Sequence, residues 1–138
     1  LDFIIVDMPP GTGDTQLTFS QEIKMDGAII VSTPQEVALL DVKRGIKMFD
    51  KLGVKILGLV DNMSFFIGDD GKKYKIFGEG GVKKTAEEFQ KEFLGEIPLN
   101  PEVGKAGDNG KPIVEENPEH EISKIYLRIA NEIRSIYI

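Results

Sequence analysis

The sequence predicts an α/β fold in which a mostly parallel sheet carries helices on both faces. Three observations predict it. Short, wholly apolar runs recur along the chain, as expected of strands buried on both sides of a parallel sheet. Between them lie segments whose apolar residues recur at helical spacing. Several of those segments open with a polar residue followed by proline, a common helix-start signal. Alternation of this kind is the pattern of strand–helix–strand units.

The elements follow in order. Leu1-Asp2-Phe3-Ile4-Ile5-Val6-Asp7 places four apolar residues before a carboxylate and reads as a buried parallel strand. Because the chain opens in mid-strand, it is expected to be a fragment of a longer domain. A Pro-Pro-Gly turn then leads into a helix from about Asp14 to Lys24. Gly27 to Ser32 is a second buried strand. Thr33-Pro34-Gln35-Glu36 predicts a clean helix start, with Thr33 as cap, Pro34 at the first helical position and Glu36 closing a capping box. Leu39, Val42, Ile46 and Phe49 give that helix a core-facing stripe. Val54 to Val60 and Leu94 to Ile97 are further strands. Asn100-Pro101 and Asn117-Pro118 repeat the cap-then-proline signature, and the last helix carries Ile122, Ile125, Ile129, Ile133 and Ile136 on one side. The stretch from Phe65 to Gly81 breaks the rhythm. Asp70-Gly71 between two apolar runs predicts a hairpin inserted on the rim of the sheet, over about residues 65–81.

Composition narrows the function classes. The chain has 138 residues and is 41% hydrophobic, enough to bury a core. Its net charge of -6 argues against a nucleic-acid surface, which carries a basic footprint. It has no cysteine, so disulfides and thiolate-held zinc or iron–sulfur clusters cannot come from its own side chains, a composition that fits a reducing cytoplasm. No run approaches the roughly 20 apolar residues of a membrane span.

The chemistry concentrates in Ile4-Ile5-Val6-Asp7-Met8-Pro9-Pro10-Gly11-Thr12-Gly13-Asp14. A strand ending in Asp7 puts a carboxylate at the strand's carboxyl end, where open α/β sheets bind ligands. Pro9 and Pro10 stiffen the following turn. Gly11 and Gly13 allow close backbone approach to a phosphate. The same residues also suit an ordinary strand-to-helix turn capped by Asp14. Asn62, just past the third strand, offers a donor and an acceptor suited to an adenine edge, but a turn residue bonding its own backbone would look the same. Gly78 to Thr85 ends like a phosphate-binding loop, yet Lys83 stands where the second glycine belongs. It reads as the glycine-rich start of an exposed helix. His120 reads as a surface residue in a first helical turn, and Lys43 with Arg44 as a solvated helix face.

The run Val6 to Asp14 resembles the Walker B and switch II region of the Mrp/ApbC family, MinD/ParA-like P-loop ATPases implicated in iron–sulfur cluster assembly. The likeness continues in order through Thr33-Pro34-Gln35-Glu36-Val37-Ala38-Leu39-Leu40-Asp41, Val60-Asp61-Asn62-Met63-Ser64-Phe65-Phe66, Phe77-Gly78-Glu79-Gly80-Gly81 and Leu94-Gly95-Glu96-Ile97-Pro98-Leu99-Asn100-Pro101. It covers nearly the whole chain, residues 1–138 being the C-terminal part of a single P-loop ATPase domain. The resemblance implies ATP and Mg2+ as cofactors. It implies that Asp7 acts on magnesium through a coordinated water, and that Pro9, Pro10 and Gly11 form the switch sensing the γ-phosphate. Asn62 would bond the adenine edge, and Pro98, Leu99, Asn100 and Pro101 would pack on the base. A homodimer closed over nucleotide, cytoplasmic, with iron–sulfur acceptor or scaffold proteins as partners, is implied as well.

Two departures qualify the resemblance. The family's phosphate loop would lie upstream of Leu1, so this chain alone is expected to be inactive. Many family members carry C-x-x-C after the Asn-Met-Ser segment, where this chain has Gly68 and Gly71, and Asp69 and Asp70 read as a solvated turn. The leading expectation is therefore an Mrp-type ATPase acting in iron–sulfur cluster assembly or transfer. A partitioning or positioning ATPase, working as a nucleotide-gated dimer switch, and a non-enzymatic interaction module stand beside it. The resembled fold further predicts that the first strand lacks a neighbour, leaving residues 1–14 free to rearrange and the switch turn mobile.

Overall fold

The computed structural model describes residues 1–138. The elements run α1 (Asp14–Glu22), β1 (Ala28–Ser32), α2 (Glu36–Leu52), β2 (Ile56–Asn62), β3 (Phe66–Ile67), β4 (Lys73–Tyr74), α3 (Gly81–Glu88), β5 (Phe93–Ile97), α4 (Pro101–Asp108), α5 (Ile113–Glu116) and α6 (Glu121–Tyr137). Strands β1, β2 and β5 form a parallel sheet in the order β1-β2-β5. Its central strand, β2, is buried through Asp61, which is why Ile56 to Val60 is almost wholly apolar.

Each face of the sheet is covered by helices, as the apolar pattern predicts. On one face Val42 and Ile46 of α2 and Val82 and Ala86 of α3 close over Ile56 and Leu59. On the other, Val60, Leu94 and Ile97 pack with Ala106, Ile113, Ile122 and Ile129 from α4, α5 and α6. The α2 and α6 stripes read from periodicity therefore form the core, except that Ile136 at the end of α6 is exposed. Buried Ser123 ties α6 to the preceding turn by donating to the carbonyls of Ile113 and Asn117. An ion pair of Lys43 with Glu88 (3.0 Å) joins α2 to α3, so Lys43 bridges two helices instead of lying on a free solvated face. Arg44 pairs locally with Asp41.

Three expectations are corrected. The strand expected over Phe3–Val6 is not formed. These residues enter no ladder, and Ile4 and Ile5 are 77% and 81% exposed. Apolar composition states what a segment would bury when paired, and here no neighbouring strand pairs with it. The start of α2 lies at Glu36, with Gln35 at the cap position and no side-chain cap from Thr33. The cap of α6 is His120, whose Nδ1 accepts from the Ile122 N–H (3.1 Å), rather than Asn117-Pro118. The Asn100-Pro101 start is found as expected, Asn100 accepting from the Glu102 N–H (2.8 Å).

Candidate functional site

Parallel pairing brings one group of predicted residues together. β2 and β5 run side by side, with Asp61 opposite Glu96 and Asn62 opposite Ile97. Beyond the ladder the two chains stay in contact. The Ser64 N–H donates to the Ile97 carbonyl (3.1 Å) and the Leu99 N–H to the Phe65 carbonyl (2.7 Å). Asn62 and the start of the Pro98–Asn100 loop therefore both lie at the carboxyl ends of the strands, Asn62 opposite the residue that precedes Pro98. That end is where open α/β sheets take ligands. The Asn62 side chain is half-buried, and no hydrogen bond of the chain uses its amide. Asn100 is different: its side-chain oxygen is engaged in capping α4, with Pro101 at the first helical position. The loop's shape is thus fixed by the helix it starts.

The second group is the turn around Asp7. Asp7 is exposed and pairs with no lysine or arginine. Gly11 has φ +96°, a left-handed conformation that glycine alone adopts without strain, and a Cβ there would meet nothing within 4 Å. Pro9 and Pro10 are exposed, and their carbonyls accept from the side-chain amide of Gln16 at 2.7 and 2.8 Å. Sequence reasoning missed Gln16. Its signal was available: two residues without N–H groups leave carbonyls that need an outside donor. No ladder pair or hydrogen bond joins this group to the strand ends near Asn62.

Between the strand ends sits a residue that sequence reading treated only as part of a motif. Asp61 is 1% exposed, and its Oδ1 has no hydrogen-bond partner. Its register partners are Ser32 on β1 and Glu96 on β5, so a polar row crosses the sheet there. Desolvation by burial raises the Asp61 carboxyl to about 6. The neighbouring Glu96 charge adds to the rise, and Lys75 of the hairpin region opposes it. Ser64, one turn on, is also buried with an unpaired hydroxyl.

β3 and β4 form a short antiparallel hairpin. Its turn is closed by Asp70, which accepts from the Lys72 N–H (2.9 Å) and the Tyr74 hydroxyl (2.5 Å). The Asp70 carboxyl is held below its usual range by the Tyr74 bond first and the Lys72 N–H second. Gly68 and Gly71 are the backbone hinge of this turn, Gly71 at φ +76°. The glycine-rich stretch at Gly78–Gly81 starts α3 and leaves Lys83 and Lys84 exposed, with Thr85 donating to the Gly81 carbonyl. No three His, Cys, Asp or Glu side chains are grouped to hold a metal ion. No helix is long and apolar enough to cross a membrane.

A parallel sheet covered by helices on both faces, with a proline-stiffened turn after Asp7 and Asn62 at the strand ends, defines the α/β class of P-loop nucleotide-binding folds. Comparison with known proteins agrees. The family model described as "ParA: NUBPL iron-transfer P-loop NTPase" matches residues 1–134. The chain belongs to this family of iron-transfer P-loop NTPases. An iron–sulfur cluster carrier protein of Aquifex aeolicus is 44% identical over 137 residues, 99% of this chain and 38% of the relative. A nucleotide-binding protein of Archaeoglobus fulgidus, solved in complex with ADP, superposes with a TM-score of 0.74 at 38% identity, covering 88% of this chain and 49% of that one. The cell division ATPase MinD of Pyrococcus furiosus shares the fold, with a TM-score of 0.62 at 23% identity over 80% of this chain and 43% of its own. The chain thus spans well under half the length of the relative from Aquifex.

Proposed function

We propose that this chain supplies the switch and the base-binding wall of an ATPase that carries or transfers iron–sulfur clusters. One observation supports the reading: the β2–β5 pairing puts Asn62, whose amide has no internal partner, opposite Ile97, the residue that leads into the Pro98–Asn100 loop. An adenine edge would satisfy both the donor and the acceptor of that amide, with Pro98 and Leu99 against the ring. A relative 44% identical to this chain is named an iron–sulfur cluster carrier protein, which supports that cargo class. Asp7 fits a magnesium site. It is a hard oxygen donor, exposed and free of ion pairs, and Mg2+ commonly takes one or two carboxylates together with substrate phosphates. Magnesium would neutralise charge on the phosphates. The turn at Pro9, Pro10 and Gly11 would position the backbone beside the terminal phosphate, since phosphoryl transfer is catalysed chiefly by positioning and charge neutralisation. The cluster itself is cargo, and its thiolate ligands would have to come from residues outside this sequence or from partners.

The experiment is nucleotide turnover by the full-length gene product. ATP hydrolysis abolished by Asp7→Ala, with about 10-fold loss of ATP-over-GTP preference in Asn62→Ala, supports the reading. Hydrolysis indifferent to both variants would overturn it. The 138-residue chain alone is expected to show no turnover, since it contains no G-x-x-x-x-G-K-[ST] run. A second reading is a nucleotide-gated dimer switch of the partitioning or positioning kind. The hairpin favours it, because Gly68 and Gly71 shape a turn closed by Asp70 and present no thiol. Iron and sulfide bound by the full-length protein would decide for the carrier.

A further inference from the structure

The switch turn is fastened to the molecule at a single side chain. No backbone–backbone hydrogen bond involves residues 1–12, the first in the chain being Leu17 N–H to the Gly13 carbonyl. No side chain within residues 1–12 makes a hydrogen bond, and the only outside donor to reach that stretch is Gln16, through its bonds to Pro9 and Pro10. The one other specific contact is an edge-on approach of Phe3 to Tyr137, ring centres 6.3 Å apart. Gln16 sits in α1, a helix whose Gly13 cap gives no side-chain bond. It is 5% exposed, and its Oε1 lies 3.5 Å from where a Gly13 Cβ would stand.

The chemistry of the match is specific. Proline has no N–H, so Pro9 and Pro10 present only acceptors. A primary amide is the neutral side-chain group with two N–H donors on one nitrogen, and both are used here on consecutive carbonyls. The assignment of nitrogen and oxygen in the amide follows, because only the nitrogen can donate to carbonyls. With the two carbonyls held, the peptide planes on either side of Pro10 are fixed, and these set the direction from which the chain enters left-handed Gly11.

We propose that Gln16 is the positioning residue of the switch: its amide holds the Pro9 and Pro10 carbonyls so that the Gly11 backbone meets the terminal phosphate in one geometry. This rests on the ATPase reading above. Gln16 touches neither nucleotide nor metal and acts through the turn. Its loss would therefore lower turnover more than nucleotide affinity, since misplacing a transition-state contact by about 1 Å can cost on the order of 100-fold.

The test uses the full-length gene product with Gln16→Leu and Gln16→Glu. Leu keeps the bulk and removes both donors. Glu keeps the shape but donates only when protonated. The expected results are a fall in kcat of about 100-fold for both at neutral pH, with ADP affinity within about 3-fold of wild type, as expected for a group that acts on the transition state alone. As pH falls, the Gln16→Glu to wild-type ratio of kcat should rise as the acid regains one donor, while the Gln16→Leu ratio stays flat. Equal turnover in Gln16→Leu, or an equal loss of turnover and ADP affinity, overturns the proposal. A second measurement separates it from the ATPase reading. The heteronuclear 1H–15N NOE of Gly11 in the 138-residue chain should fall in Gln16→Leu, with far-UV circular dichroism unchanged, since Gly11 follows the two carbonyls that the amide holds. A fall in a protein without ATPase activity keeps the latch and discards the enzyme. An unchanged value discards the latch whatever the enzyme does.

Discussion

Asp61→Asn should stabilise this chain at neutral pH and remove one component of its pH dependence. Asp61 is 1% exposed at the end of β2, with Oδ1 unpaired. Burial first, and the Glu96 charge second, raise its carboxyl from 3.8 to about 6, against the opposing pull of Lys75. Between those two values the folded chain keeps the proton and the unfolded chain has released it. Stability therefore falls as pH rises through that window, because there the native state binds more protons than the unfolded state. Below about 3.8 both states are protonated, and above about 6 both are ionised, so the difference is constant outside the window. At about 1.4 kcal/mol per pKa unit, the ionised carboxylate costs the folded state up to about 3 kcal/mol at pH 7. Asparagine has the same shape and no charge at any pH. The assay is urea unfolding followed by far-UV circular dichroism, wild type against Asp61→Asn, at steps from pH 4 to pH 7.5. The variant should gain on wild type progressively up to about pH 6 and hold its lead above it. Taking the difference between the two proteins cancels other carboxylates, including Asp70, whose lowered carboxyl contributes a slope of the opposite sign. Glu96→Gln should move the wild-type midpoint down, and Lys75→Met should move it up. A difference that is flat with pH, or an Asp61→Asn chain less stable than wild type at pH 7, would refute the reasoning.

Two further outcomes are expected. Leu59→Ala should cost about 2–5 kcal/mol in the same unfolding assay, since Leu59 is fully buried where β2 meets α2 and α3; a cost below about 1 kcal/mol would mean that this layer is not close-packed. Reconstitution of the 138-residue chain with iron and sulfide should give no stoichiometric [4Fe–4S] absorbance, because such clusters are held by cysteine thiolates and the chain has no cysteine; a stable cluster on the isolated chain would contradict this.

The sheet was legible because its central strand is buried on both faces and the two outer strands are largely apolar. Ile56 to Val60 could only be apolar in that position, and the stripes of α2 and α6 follow from the faces they cover. Parallel pairing of two such strands was enough to set Asn62 opposite Ile97, at the same end of the sheet as the Pro98–Pro101 loop. What escaped reading shares one cause: it depended on a neighbour. Phe3–Val6 is as apolar as β2, and it was the resembled fold, not its apolarity, that implied the missing neighbour; it enters no ladder. Thr33 and Asn117 are good cap residues by type, yet the chain enters α2 at Gln35 and α6 at His120, where backbone geometry and packing decide. Gln16 is polar by type, and its burial goes with the bonds that its amide makes to the Pro9 and Pro10 carbonyls. Asp61 extends a strand whose apolar run stops at Val60, and its burial follows from the flanking strands, not from its own type.

These differences divide the molecule by how firmly it is held. Residues 28–138 share two packed layers around a three-stranded sheet, and Asn62 and Pro98 belong to that part. Residues 1–12 hang on one amide and one aromatic edge. Local opening costs least where buried contacts and backbone hydrogen bonds are fewest. Displacing the turn would break two hydrogen bonds, worth about 1 kcal/mol each, and would disturb neither layer of the core. On the proposed reading, a phosphate bound against Gly11 could therefore shift that turn with interactions of its own strength, while Asn62 and Pro98 stay in place. On the proposed reading, this distribution would let the strand ends hold the base while the turn responds to the phosphate, with the Gln16 amide as the contact between α1 and that turn.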